Sequence, residues 1–450
     1  MKKGDITEFT IDDLAFDGKA VAHADGKVVF LDAGLPGETV KAEVTAVKPR
    51  YNQARALEIV IRSDARIPAV CSHFGECGGC TWQDLVYARQ LEYKKRHVIE
   101  CLTRIGKLER AEVHDVLPAD PTFFYRNKME FSFHTVEPDS FHLGLHNRGH
   151  FDRIFDLQAC HLQSELSNRV VTAMRVFARE ENIPAYDVRR HTGYLRFLIV
   201  REAKRTGQSM VVVVTNVGDF PNPERLQAAL SEAGEITTII HGQNGSRSNV
   251  ANLESETILH GPGYIEEEIL GMRFRIRAGS FFQSNTAQAE RLYQCGFDLL
   301  GPNSSDRVLD LYCGTGTIGL LLAPRVAEVV GVELVPAAIE MASENSALNG
   351  IANARFVCGP VREFLADMGT DNPAFDAVVI DPPRAGLHPK ALKRVLNLKP
   401  PRLLYISCNP STFARDAAAL TEIGYNMSAV QPVDMFPHTR HIELVALFRT

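Results

Sequence analysis

The sequence lacks several features that define large classes of protein. No apolar run in its 450 residues approaches the roughly 20 that a membrane-spanning helix needs. Residues 1–8 include two lysines but no apolar stretch follows them, which argues against a secretory signal. Glycine and proline follow no period, which excludes a collagen-like or low-complexity chain. We therefore expect a soluble, cytoplasmic protein of about two to four domains, with no membrane partner.

Charge of one sign is not in excess, because 49 Lys and Arg residues stand against 55 Asp and Glu residues. The overall basic character of many nucleic-acid-binding domains is therefore missing. Two stretches are nevertheless locally basic. Residues 89–110 contain seven basic and three acidic residues, and residues 189–205 contain six basic residues and one acidic residue. The nine cysteines are odd in number and unevenly spread, which favours metal ligands and free thiols over a disulfide framework.

The pattern of secondary structure divides the chain into three segments. Residues 1–62 contain five short β segments separated by turns, which predicts an OB-like β-barrel. Residues 63–262 combine a cysteine-rich stretch, a basic helix over about 82–108 and mixed strands and helices, which predicts an α+β domain. Residues 263–450 alternate strand and helix, which is typical of a doubly wound, Rossmann-like sheet. The predicted fold class is a multidomain α/β protein.

The clearest chemical signal is a glycine-rich loop in the third segment. A buried strand over residues 307–312 runs into Cys313-Gly314-Thr315-Gly316-Thr317-Ile318-Gly319, where glycines allow a ligand to approach the strand end. A second strand ends at Glu333, in position to bind ribose hydroxyls. The combination predicts a cofactor that contains adenosine. Because Gly-Thr-Gly-Thr-Ile-Gly also fits the dinucleotide fingerprint, these residues alone leave both cofactor classes open.

Two further strand ends should open into the same crevice. One strand ends in Asp381-Pro382-Pro383-Arg384 and the next in Ser407-Cys408-Asn409-Pro410. A thiol at such a position makes Cys408 a candidate nucleophile. Covalent catalysis also needs a proton acceptor, and the candidate is Glu443, which opens the last apolar strand. His438 and His441 are weaker candidates, since a structural histidine is the common case.

A group of cysteines precedes the basic helix. Cys71, Cys77 and Cys80 occur within ten residues, and Cys160 is available as a fourth ligand. From spacing alone, zinc and iron–sulfur are both open.

Taken together, these motifs resemble the RNA uracil-5-methyltransferases, which make 5-methyluridine with S-adenosylmethionine. The resemblance covers nearly the whole chain and rests on Phe281-Phe282-Gln283-Ser284-Asn285, Asp310-x-x-Cys-Gly-x-Gly, Asp381-Pro382-x-Arg384, Ser407-Cys408-Asn409-Pro410 and His441-x-Glu443. It implies that Cys408 adds to C6 of uracil and that Glu443 removes the C5 proton after methyl transfer. This sequence of steps is chemically sensible, because uracil C5 is a poor nucleophile and covalent addition divides one hard step into easier ones.

The resemblance also implies cofactor contacts and a metal centre. The implied contacts to S-adenosylmethionine are Gln283, Tyr312, Gly314, Gly316, Thr317, Glu333 and Asp381. The adenine-side position is Pro360, which has no polar side chain and is left out of the set. The pattern C-x5-C-G-G-C-x-W-Q with a distant cysteine resembles an iron–sulfur site, so we expect a 4Fe-4S cluster on Cys71, Cys77, Cys80 and Cys160 with an architectural, RNA-facing role.

The N-terminal barrel resembles the TRAM domain, an OB-like RNA-binding module. Because of this resemblance, we expect residues in and near the basic stretches to contact RNA phosphates. The candidates are Lys94, Lys95, Arg96 and Arg126-Asn127-Lys128. The target uridine must leave its stack to reach the thiol, so base flipping is expected. Phe281 or Phe282 is a candidate to stack on RNA or cofactor.

The expected function is methylation of uracil C5 in RNA by a monomer, with 23S ribosomal RNA as the expected target and the transfer RNA T-loop as the main alternative. Two other classes stay open. Asp381-Pro382-Pro383 is similar to the motif of methyltransferases that act on exocyclic amines, but Arg384 replaces its aromatic residue and Cys408 would be idle. The other class is a non-catalytic RNA-binding or ribosome-assembly protein, against which the complete set of nucleophile, base and cofactor residues argues.

Overall fold

The N-terminal region is a closed five-stranded barrel in the structure, a computed structural model that describes residues 1–135, 141–368 and 375–450. Its strands are β1 (Ile6–Leu14), β2 (Ala20–Ala24), β3 (Lys27–Leu31), β4 (Thr39–Val47) and β5 (Tyr51–Ile61), in the order β1-β2-β3-β5-β4. Alternate side chains of β4, such as Val40, Ala42 and Val44, point into the barrel core because successive residues of a strand face opposite sides. The predicted OB-like barrel is confirmed.

The middle region is built on a mixed sheet of seven strands. Its elements are α1 (Tyr87–Arg104), β6 (Lys128–Thr135), β7 (Phe141–His146), β8 (Ile154–Asp156), α2 (Glu165–Glu180), β9 (Leu195–Glu202), β10 (Ser209–Thr215), α3 (Pro223–Ala233), β11 (Thr238–Gln243) and β12 (Ser255–His260). The strand order is β12-β11-β10-β9-β6-β7-β8, with α2 and α3 packed on one face. The mixture of strands and helices agrees with the predicted α+β character, while the boundaries at residues 62 and 262 stay predictions.

The C-terminal region is a doubly wound sheet preceded by a hairpin and a helix. Its elements are β13 (Tyr264–Ile269), β14 (Met272–Arg277), α4 (Thr286–Leu300), β15 (Arg307–Leu311), α5 (Thr317–Leu322), a 3-10 turn (Ala323–Arg325), β16 (Glu328–Glu333), α6 (Pro336–Leu348), β17 (Ala354–Cys358), α7 (Val361–Asp367), β18 (Ala377–Ile380), α8 (Pro389–Leu398), β19 (Arg402–Ser407), α9 (Pro410–Glu422), β20 (Asn426–Met427), β21 (Gln431–Val433) and β22 (Glu443–Arg449). None of the helices in the described ranges has the length and apolar character that crossing a bilayer requires.

The strand order of this sheet leaves a crevice at the carboxyl ends of its parallel strands. The strands lie in the order β17-β16-β15-β18-β19-β22-β20, with β21 beside β22. The first five are parallel, and β22 runs antiparallel to β19. The direction of winding reverses between β15 and β18, so the loops that follow these two strands separate and leave room for a ligand. The predicted doubly wound sheet is confirmed.

Helix α1 packs against the C-terminal sheet, although the sequence predicts that it belongs to the middle domain. Val98, Cys101 and Leu102 on its apolar face join the core formed by β18, β19 and β22. The helix also begins five residues later than predicted, at Tyr87. Its apolar face therefore extends the core of the C-terminal sheet.

The structure contradicts the predicted phosphate contacts of Lys94 and Asn127, which are buried, whereas those of Lys95, Arg96, Arg126 and Lys128 stay predictions. Lys94 is fully buried and pairs with Asp434, so it does not face RNA. Lys95 pairs with Asp115, Arg96 with Asp13 of the barrel, and Lys128 with Glu130. Asn127 is buried and donates to the Gln283 carbonyl at 2.8 Å. These polar side chains mostly connect regions of the protein to one another.

Replacing Lys94 with methionine should lower the free energy of unfolding by about 3–5 kcal/mol. The substitution leaves the Asp434 carboxylate buried without its cation, although Tyr87 still donates to it at 2.7 Å. Chemical denaturation measures the change. The matched control is Lys95→Met, which breaks an ion pair to a fully exposed Asp115 and should change stability far less, because solvent screens such a pair. Equal effects of the two substitutions would contradict the importance of the buried pair.

Candidate active site

The glycine-rich loop joins β15 to α5 and needs glycine for steric reasons. Gly316 has a φ of +79° and is the N-cap of α5, and a Cβ there would meet the Phe356 ring at 2.9 Å and Ala342 at 3.0 Å. No larger residue fits both the left-handed backbone and the close packing. Thr317 is the first residue of α5, and its hydroxyl lies 3.4 Å from that of Thr315. The loop is thus held compact at the carboxyl end of β15.

Asp310, on β15, is hydrogen-bonded to Gly319 just after the glycine-rich loop. It is not among the site residues that the sequence predicts. Its Oδ2 accepts a hydrogen bond from Gly319 N–H at 2.9 Å. Burial, with smaller contributions from Asp381 and Glu333, raises the pKa of Asp310 to about 8 despite that bond. The other oxygen, Oδ1, is buried and has no hydrogen-bond partner among the described residues. The motif Asp310-x-x-Cys was the signal from which sequence reasoning could have assigned it.

Glu333 lies at the end of β16, where the sequence predicts a ribose contact. Its Oε2 accepts from Gly314 N–H at 3.2 Å, and its Oε1 accepts from the main-chain N–H groups of Leu334 and Val335 at 2.7 and 3.0 Å. The structure therefore brings Glu333 to the glycine-rich loop. Pro360 caps α7 beyond the next strand, β17.

The predicted nucleophile and base lie at the neighbouring ends of two paired strands. The register of β19 and β22 ends at the pair Ser407 and Leu444, so Cys408 is the first residue after β19 and Glu443 is the first residue of β22. The charge of Glu443 contributes to the raised pKa of Cys408, as expected of neighbouring groups. Asn409 caps α9 and donates to the Arg384 carbonyl at 3.0 Å, which ties the loop after β18 to the thiol.

The electrostatics of this group reflect its burial. Burial, followed by the charges of Glu443 and Asp381, raises the pKa of Cys408 to about 11, while Arg384 opposes the shift. Burial and Asp381 hold the pKa of Glu443 well above its usual range, and burial raises that of Asp381 to about 6. The site therefore concentrates acidic groups that a bound cation would stabilise in the charged form.

Tyr293 on α4 is a further member of the site that sequence reasoning missed. Its side chain is buried and hydrogen bonds with the side chain of Gln283. Burial raises its pKa well above the usual value, with Asp381, Glu443 and Asp310 adding to the shift. Tyr293 occupies a helical position typical of a core residue, so the sequence holds no signal that separates it from one.

The remaining candidate site residues differ in how far their side chains are exposed to solvent. Phe281 is 70% exposed and Phe282 is buried in the core, so of the two residues Phe281 is the one available to stack on a base. His438 is buried and stacks on Phe123 with ring centroids 4.2 Å apart, as a structural histidine does. His441 lies at the site, where the Arg384 guanidinium is 3.0 Å from its Nδ1. Tyr312 follows β15 with a left-handed φ of +65°.

The four cysteines of the predicted cluster come together at the edge of the middle region. The charges of Cys71, Cys77 and Cys160 all act on Cys80, which requires the four thiols to be near one another. Burial, with these charges, raises the pKa of Cys80 to about 12 and that of Cys77 to about 11. Throughout the described part of the chain, no group of three or more His, Cys, Asp or Glu side chains is arranged to hold a metal ion, so the metal centre stays a prediction.

Fold and site together define an α/β methyltransferase with an N-terminal barrel of the RNA-binding type. Family models match the chain as TRAM domain over residues 2–57 and as tRNA (Uracil-5-)-methyltransferase over residues 250–450. An uncharacterized RNA methyltransferase of Chlorobaculum tepidum is 40% identical over 99% of this chain and 97% of its own length. Another from Caldanaerobacter subterraneus is 38% identical over 99% of both chains.

A solved structure matches nearly the whole chain. It is the tRNA (uracil-54, C5)-methyltransferase of Pyrococcus abyssi in complex with S-adenosyl-L-homocysteine, with 31% identity and a TM-score of 0.79 over 98% of this chain and 99% of that one. The chain belongs to the RNA uracil-5-methyltransferase family that carries a TRAM domain, which confirms the resemblance found in the sequence.

Proposed function

We propose that this protein methylates C5 of a uridine in RNA through a covalent adduct between Cys408 and uracil C6. The observation that supports the proposal is the register of β19 and β22, whose last pair, Ser407 and Leu444, is directly followed by Cys408 on one strand end and preceded by Glu443 on the other. A thiol and a carboxyl so close together suit a reaction in which one adds to a ring and the other removes a proton from it. We also propose that the enzyme acts in the cytoplasm as a monomer.

The proposed reaction needs no external acid or oxidant. Cys408 Sγ, as thiolate, bonds to C6, and the electron pair of the C5=C6 bond moves towards C5 and the C4 carbonyl. C5 would then bond to the methyl group of a sulfonium donor while the S–CH3 bond breaks, its electron pair staying on sulfur, so that the donor leaves as a neutral thioether. Glu443 removes the proton from C5, the C5=C6 bond re-forms, and the thiolate leaves C6. Arg384 opposes the rise in the Cys408 pKa, so it favours the thiolate that begins the sequence.

S-adenosylmethionine is the proposed methyl donor, and it supplies an electrophilic methyl group on a positively charged sulfonium. The acidic groups of the crevice fit this cation, because the raised pKa values of Asp381 and Glu443 fall when a positive charge is near. The unpartnered Asp310 Oδ1 under the glycine-rich loop is a further acceptor. The proposed contacts are Gln283, Tyr312, Gly314, Gly316, Thr317, Glu333 and Asp381.

The proposed target is 23S ribosomal RNA, with transfer RNA as a second candidate. The second candidate is supported by the likeness to the Pyrococcus abyssi enzyme, whose name gives uracil 54 of tRNA as its target. The test incubates the protein with S-adenosylmethionine and either 23S transcripts or T-loop transcripts, then analyses the nucleosides. We expect 5-methyluridine in one RNA. Methylation of an exocyclic amine instead, or of no base in either RNA, would contradict the proposed function.

We also propose a 4Fe-4S cluster on Cys71, Cys77, Cys80 and Cys160, with an architectural role. Support comes from the hydrogen bonds that reach the sulfur atoms, as is typical of cluster ligands. Gly79 N–H donates to Cys77 Sγ at 3.3 Å, and the Gln83 amide donates to Cys80 Sγ at 3.4 Å. Methyl transfer needs no electrons, so no step passes through the cluster.

Metal analysis of anaerobically purified protein tests this centre. The wild type should contain about four iron atoms and matching sulfide per chain. Cys160→Ser should lose most of the iron, whereas the control Cys295→Ser, which changes a half-buried thiol outside the cluster, should keep it. One zinc per chain in the wild type would overturn the iron–sulfur assignment in favour of the zinc alternative.

A further inference from the structure

The segment between β21 and β22 leads to Glu443 at the start of β22. It turns at His438, whose φ of +63° lies in the left-handed region that non-glycine residues rarely adopt. Such a conformation persists only where surrounding contacts hold it. The contacts around His438 therefore decide how firmly the residues that follow, including Glu443, are held.

The main chain of His438 is bound by the residues that follow the cysteine motif. Thr81 and Trp82 donate their main-chain N–H groups to the His438 carbonyl at 2.8 and 3.0 Å. His438 N–H in turn donates to Gln90 Oε1 at 3.0 Å. Cys80 thus lies one residue from a hydrogen bond to the segment that ends at Glu443.

Gln90 completes this connection from α1. Its side chain is fully buried, and its Nε2 donates to the Trp82 carbonyl at 2.9 Å and to the Leu85 carbonyl at 2.8 Å. The Gln90 amide therefore connects three parts of the protein. These are α1, the segment over residues 71–85 that holds Cys71, Cys77 and Cys80 (the cysteine loop), and His438. Since buried polar groups left without partners are costly, removing this amide should loosen all three attachments.

Hydrogen bonds close the segment around His438 into a turn. Thr439 donates its hydroxyl to the Phe436 carbonyl at 2.8 Å and accepts from His441 N–H at 3.2 Å. The compact turn over residues 436–441 therefore ends two residues before Glu443. Cys408 and the proposed cofactor residues lie in other segments of the chain, so none of them belongs to this turn.

We propose that Gln90 is a positioning residue for Glu443 and couples the proposed base to the cysteine loop. The inference rests on the proposed function, because only the removal of the C5 proton requires Glu443. Loss of Gln90 should slow that step and leave addition and methyl transfer intact. The methylated covalent complex between enzyme and RNA should then accumulate with ordinary uridine RNA.

The test compares Gln90→Met with the matched control Gln294→Met, a half-buried glutamine on α4 whose side chain donates to Asp298. Before RNA is added, hydrogen exchange of residues 434–442 should be faster in Gln90→Met than in the wild type and the control. With RNA and S-adenosylmethionine, its kcat should fall about tenfold and the trapped covalent fraction should rise, with KM for the cofactor unchanged. Gln90→Glu keeps the acceptor for His438 N–H and should give smaller changes, and it serves as the readout if the methionine variant does not fold.

Three outcomes overturn the proposal. Unchanged hydrogen exchange in both Gln90 variants shows that Gln90 does not hold the segment, whatever the enzyme does. Faster exchange with unchanged turnover shows that the segment does not control Glu443. Slower turnover without accumulation of the covalent complex assigns Gln90 to another step. Failure of the proposed function is distinguished from all three, because the wild type itself then yields no 5-methyluridine.

Discussion

Replacing Cys408 with alanine should abolish 5-methyluridine formation, lowering turnover by about 10⁴-fold or more. Without sulfur at C6, the electron density that makes C5 nucleophilic is not supplied, and no neighbouring thiol can replace it. The half-buried position of Cys408 means that the substitution costs little packing. The measurement is transfer of a labelled methyl group into the RNA that the wild type modifies, with the product nucleoside identified.

The control for this substitution is Cys358→Ala, which removes an exposed thiol at the end of β17. It should keep wild-type turnover. The dissociation constant for S-adenosylmethionine should be unchanged in both variants, because Cys408 is outside the proposed cofactor contacts. Substantial residual turnover in Cys408→Ala would rule out the covalent mechanism. A matching loss of cofactor binding would instead assign Cys408 to the cofactor site.

The strand ends of the catalytic sheet were predictable because their signals are local. Buried parallel strands appear as short apolar runs, and the residue after each run lies at the crevice edge. This rule located Glu333, Asp381 and Cys408 without knowledge of the strand order. The neighbouring positions of Cys408 and Glu443 were less accessible, because they depend on the register of two strands distant in sequence, whose last pair is Ser407 and Leu444.

Contacts between distant segments were not predictable from local patterns. Lys94 lies in a basic stretch that is typical of a solvated or RNA-binding surface, yet its partner Asp434 is 340 residues away and both are buried. Tyr293 likewise occupies an ordinary core position of α4, and only the folded chain brings its hydroxyl among the carboxyl groups of the site. In both cases the tertiary neighbour, rather than the local sequence, determines the role of the side chain.

Glu443→Gln should stop the reaction after methyl transfer and lower turnover by about 10³-fold. Glutamine keeps the shape and burial of Glu443 but cannot accept the C5 proton, so elimination of Cys408 from C6 becomes slow. The complex of enzyme and methylated RNA should therefore survive denaturation, with ordinary uridine as the substrate. Intact-mass analysis measures it, because the adduct carries one methyl group more than the sum of enzyme and RNA.

The matched control for this substitution is Glu422→Gln, which changes an exposed carboxylate at the end of α9 and should turn over normally without accumulating a complex. The outcome also separates two roles for the buried carboxyl. If Glu443→Gln forms a complex that carries the extra methyl group, Glu443 acts after methyl transfer, as the proposed mechanism predicts. If the complex forms without that methyl group, the carboxyl acts earlier, in holding the cation of the methyl donor. If no complex forms and turnover is unchanged, another group removes the proton, and the assignment of Glu443 as the base is wrong.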